Sequence, residues 1–178
     1  MTLAIGPIEA AEVSLESSMA VPNFVAGLLY GLTGDYELDE LQTCMKDTGK
    51  IAKDAQKFFH DLVHFHFFRA NKDVLILLKD LLPALKSCKN MKSDLDAIQK
   101  WYMIFEDPRE LGHTTTRNYF LNREDINKEI ASLKSGWSSK NFFAAGQDTA
   151  DIMVDLLGEV PIVKPTYVPL IGITFESN

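Results

Sequence analysis

The sequence predicts an all-α bundle of six or seven helices flanked by extended arms at both ends. Three observations carry this expectation. From about Pro22 to Gly158 apolar residues recur at three- and four-residue spacing, with short polar breaks between the periodic runs. Neither alternation of strand and helix nor an internal repeat of fixed period is present. Beyond Gly158 the pattern changes, because Pro161, Pro165 and Pro169 recur at four-residue spacing. Each proline lacks an N–H and biases its predecessor away from the helical region, so residues 159–178 are read as an extended arm. Residues 1–21 are read as a second arm, since Val13 and Leu15 alternate with Glu12, Ser14 and Glu16 in strand fashion.

Along the body, Pro22 to Thr33 reads as a short apolar helix broken by Gly34-Asp35. Gly27 and Gly31 stand four apart on one face and admit a second backbone at close range in the core. A long amphipathic stretch follows from about Glu37 to Phe68, with a break near Thr48-Gly49. Asn71-Lys72-Asp73 then reads as a turn and N-cap. Val74 to Leu85 is apolar nearly all round and is the expected central helix, kinked rather than ended by Pro83. The next helix starts at Ser93, and Asp107-Pro108 ends it while opening another that is weak around Thr114-Thr115-Thr116. Asn122 to Leu133 reads as a separate charged helix closed by Gly136, and the last helix runs from about Ser138 to a C-cap at Gly158.

With 178 residues, 46% of them hydrophobic, the chain has the composition of one domain with a substantial core. Its net charge of −7 argues against generic binding to nucleic acid or anionic membranes, both of which use basic patches. No apolar run approaches the ~20 residues of a membrane span, so the chain reads as soluble. Met1 to Ile8 lacks the basic start of a secretory signal, which leaves a cytosolic protein or a mature exported one.

Chemistry is sparse. His60 and His64, with His66 nearby, give the best metal signal, but no third ligand stands at a characteristic spacing, and no metal or cofactor is expected. Neither Cys44 nor Cys88 lies in a nucleophile elbow or a Cys-x-x-Cys motif. Both fall on apolar faces, as two buried thiols or one disulfide. Acidic pairs such as Asp94 with Asp96 sit at helix ends, where capping and the helix dipole explain them. No catalytic residue is assigned, and an enzyme is not expected.

Phe24-Val-Ala-Gly-Leu-Leu-Tyr-Gly-Leu32, then Cys44, then a long amphipathic region ending in Leu-Pro-Ala-Leu-Lys-Ser-Cys88 resembles small secreted helical proteins of single-celled eukaryotes, ciliates especially. The resemblance covers about residues 24–150 and implies an exported protein in which Cys44 is bonded to Cys88. It brings no activity with it.

Two functions follow as expectations. On the C-terminal arm Tyr167, Ile171, Ile173 and Phe175 fall on one face of an extended chain and Val168 and Leu170 on the other, with Val163 nearer its root. A lone strand leaves its backbone unpaired, so these residues are the expected subunit contacts of a structural or self-assembling protein. The alternative is a carrier of an apolar ligand, with Phe58, Phe59, Phe65, Leu77 and Leu81 lining a cavity in the bundle.

Overall fold

The computed structural model describes residues 19–162. Among them are seven helices and no strand: α1 (Ala20–Thr33), α2 (Leu38–Cys44), α3 (Thr48–Val63), α4 (Phe67–Ala84), α5 (Lys92–Ile104), α6 (Pro108–Ser138) and α7 (Phe142–Leu157). The arm residues Val163, Tyr167, Val168, Leu170, Ile171, Ile173 and Phe175 lie outside the described residues, as does most of the N-terminal arm. Ala20 and Val21 belong to α1 rather than to that arm. Pro22 fits its first turn because the first amides of a helix need no intrahelical acceptor.

Two packed groups make the body. In the first, α6 and α7 form a hairpin and α1 lies along α7 with their residue numbers rising together. A β-carbon on Gly27 would run into the Phe143 carbonyl, and one on Gly146 into the Phe24 carbonyl, so the two backbones touch where the sequence places small residues. The second group is the α3–α4 hairpin, with α5 against α4. Trp137 of α6 joins the groups. Its ring stacks on Phe59 of α3 at 4.4 Å and meets Phe24 and Phe142 edge-on at 5.9 and 6.0 Å.

The α3–α4 hairpin corrects two expectations. Asn71 does not make the turn; it lies inside α4 at 5% exposure, and Asp73, at 3%, is held by the ammonium of Lys57 on α3. The chain reverses at His64–His66 instead, where Phe65 adopts a left-handed conformation (φ 59°) and the His66 amide donates to the Asp61 carbonyl at 2.8 Å. Pro83 ends α4 rather than kinking it, since only Ala84 follows inside the helix. The freed Ala84 carbonyl accepts the Lys46 amide at 3.2 Å. With the reversal at Phe65, Cys44 stands 21 residues before it and Cys88 23 after, nearly opposite one another. The two are joined in a disulfide with their Cα atoms 5.2 Å apart, an ordinary spacing for such a bond.

The two helices expected between Pro108 and Gly136 run together as one element, α6, but remain two helical runs joined at a kink. Its one non-helical residue is Asn122 (φ −107°, ψ 15°), the expected boundary, which survives as a kink. Asp107 caps its start by accepting the Arg109 amide at 2.9 Å, and the helix runs past Gly136 to Ser138. Asn118 and Asn122, one turn apart, donate their side-chain amides to the carbonyls of Leu156 and Asp155 at 3.1 and 2.8 Å. They thereby satisfy acceptors that the last turn of α7 leaves open. Gly158 (φ 91°) ends α7 as expected, and Val160 tucks in beside the ends of α1 and α7.

Burial also sets a pH dependence. Between α6 and α7, Glu129 lies with Asp148, Asp151 and Asp155, and burial, reinforced by the neighbouring carboxylates, pushes Glu129 up to about 7. The same cause raises the three aspartates. A raised acid favours the folded state fully only below its unfolded value; that contribution drains away as pH climbs from ~4.5 toward 7. Glu129→Gln is therefore expected to stabilise the chain at pH 8 by about 1 kcal/mol, a figure discounted for partial solvent exposure, and to change little at pH 4. Thermal melts of both proteins across that range check it; an equal gain at both ends would contradict it.

Candidate association surface

The reversal between α3 and α4 and the kink of α6 bring apolar rings to the surface at one place. At the reversal, the left-handed backbone of Phe65 turns its ring outward, leaving it 61% exposed, 6.0 Å from the Phe67 ring. Phe67 lies 4.8 Å from Tyr119 of α6, and Tyr119 6.0 Å from Phe120. Phe120 and Leu121 are 73% and 70% exposed. Their direction follows from helix geometry: Asn118 and Asn122, a turn apart, face α7, so the positions between them face away from it. The result is a continuous ridge, Phe65–Phe67–Tyr119–Phe120–Leu121, with the Lys134 ammonium 5.7 Å from the centre of the Phe65 ring.

Hydrophobic residues scattered singly on a surface mean little, whereas exposed apolar side chains gathered in one patch make a candidate contact surface. Beside the ridge, the rings of His60 and His64 lie 4.3 Å apart at a tilt of 33°, and the Asp61 carboxylate lies 3.5 and 3.4 Å from Nδ1 of His60 and His66. Burial alone would raise Asp61, but the hydrogen bond from Asp73, with those from the two histidines, outweighs it and holds the carboxyl low. Asp73 itself is pushed up by burial, against the opposing pull of the Lys57 ammonium.

Among the described residues the histidines do not converge with a third ligand. The three ligand atoms that do converge belong to Glu40, Cys44 and Cys88, and the disulfide occupies both sulfurs. No protein-family model, curated protein or solved structure matches this chain.

The aromatic cluster from Phe58 to Phe68 is divided among the end of α3, the reversal and the start of α4 rather than lying on one amphipathic stretch. Phe58 is core, Phe59 is stacked on Trp137, Phe65 stands in the reversal and Phe67 opens α4. Leu77 and Leu81 are buried in the core with Phe58. The subunit contacts expected from the arm lie outside the described residues. Tyr119, Phe120 and Leu121 were not picked out in the sequence; the adjacent apolar triplet inside an otherwise polar helix was the signal available.

Proposed function

We propose that the chain is a non-catalytic, self-associating protein, with the exposed ridge of Phe65, Phe120 and Leu121 as the docking surface for the C-terminal arm of a second copy. The observation that carries this reading is the ridge itself, in which the exposed Phe65 and Phe120 are linked through the half-buried rings of Phe67 and Tyr119. Its position adds support. The ridge lies beside Asn118 and Asn122, which hold the last turn of α7, and the arm continues from that turn. Sixteen residues follow Ile162, a reach of up to ~50 Å when extended, enough to cross to a neighbouring molecule. One apolar face of the arm, with Tyr167, Ile171, Ile173 and Phe175, has the chemistry the ridge would accept. Reciprocal exchange closes a dimer, and open exchange propagates a filament. The disulfide is compatible with export to an oxidising compartment, in keeping with the resemblance to secreted proteins.

Light scattering on the full chain is expected to give a mass above 20.0 kDa that falls to the monomer on deletion of residues 163–178 and on Phe120→Asp with Leu121→Asp. A full chain that stays monomeric at high concentration overturns the proposal. An oligomer untouched by either change does so equally.

A further inference from the structure

Away from the ridge, an open cavity of about 620 Å³ lies between the C-terminal half of α4 and α5. Leu82, Pro83 and Leu95 supply apolar lining, and Lys79, Lys86, Lys89 and Lys92 line the cavity with them. These lysines come from three segments: α4 carries Lys79, the connection after it carries Lys86 and Lys89, and Lys92 opens α5. All four are exposed, and none forms an ion pair within the described residues. Asp96 is the one carboxylate of the lining, so positive charge prevails here on a chain whose net charge is −7. The Tyr102 hydroxyl at the far side is committed to Glu106 at 3.2 Å. No side chain caps the start of α5, whose amide end carries positive dipole toward the Lys92 side.

Like charges brought together without partners repel, and a rim of one sign focuses the field on an ion of the other. The volume is that of a small-molecule site, and the apolar lining beneath the lysines suits a ligand that is charged at one end only. We propose that this cleft binds an anionic amphiphile with a phosphate-type headgroup, the headgroup among Lys86, Lys89 and Lys92 and the apolar portion against Leu82, Pro83 and Leu95. The bridge at Cys88, itself part of the lining, ties the loop carrying Lys89 to α2 and holds the rim together.

Calorimetric titration of the full chain with octyl phosphate, inorganic phosphate and octanol tests the assignment. Octyl phosphate is expected to bind saturably, at least about tenfold more tightly than either of the others, and to weaken as salt is raised. Lys86→Glu with Lys89→Glu, both at exposed positions, is expected to lower that affinity by at least about tenfold while the circular dichroism and melting of the chain stay unchanged. Absence of saturable binding, or equal binding by the double variant, overturns the site. Inorganic phosphate binding as tightly as octyl phosphate would remove the apolar portion from the assignment, and octanol binding as tightly would remove the headgroup; each overturns the amphiphile.

Discussion

Gly146→Ala is expected to destabilise the folded chain by about 3 kcal/mol, the upper end of what an overpacked core ordinarily costs. The added methyl would strike the Phe24 carbonyl and come within 2.7 Å of the Leu28 amide, and both belong to backbone that cannot rotate aside. Gly27→Ala meets the reciprocal obstacle, the Phe143 carbonyl, and is expected to cost a similar amount. For a chain of this size such a loss lowers the melting temperature by roughly 10 °C. Gly112→Ala is the control. That position lies inside α6 with nothing within 4 Å of its would-be β-carbon, so helix propensity alone acts and the substitution is expected to gain ~0.5–1 kcal/mol. Urea titrations of the three variants decide the matter. If Gly146→Ala tracks Gly112→Ala, α1 and α7 do not touch backbone to backbone.

Opening the Cys44–Cys88 bond is expected to cost about 4 kcal/mol, because it closes 44 residues of chain and so removes much of the freedom of the unfolded state. The loss will not be uniform. α2 has little else to hold it: Leu41 is its one fully buried residue, and a Glu40 carboxylate oxygen accepts the Asn90 amide at 3.1 Å. Reduction with dithiothreitol, or Cys88→Ser, is therefore expected to lower the urea midpoint and to expose the amides of residues 38–44 to hydrogen exchange before those of α1 and α7. An unchanged midpoint, together with two thiols titrating in the native protein, would mean that the bond does not form.

Much of the body was legible because its signals are local. Gly34 after α1, Asp107-Pro108 before α6 and Gly158 after α7 each act through their own backbone, and each stands where the sequence placed it. The glycines of α1 were readable for the same reason, since absence of a side chain has one use in a buried helix. What failed depended on partners distant in the chain. Asn71 and Asp73 look like a turn in isolation, but Lys57, sixteen residues before Asp73, draws that carboxylate into the α3–α4 seam and keeps the helix continuous. Phe65 gave no warning, because an aromatic residue rarely takes a left-handed backbone. The lysine cleft was hidden because its four cations are spread over α4, α5 and the connection between them and meet only after folding.

The contact between α1 and α7 has a consequence for the birth of the protein. Gly27 and Gly146, which meet in the fold, are separated by 119 positions of sequence. At ~5–20 residues per second the ribosome delivers the second roughly ten seconds after the first. Through that interval α1, nearly all of whose residues end up buried, waits without the helix that covers it. Translation thus leaves the most apolar segment of the body open to chaperones, or to the α1 of another nascent chain, until the last helix arrives.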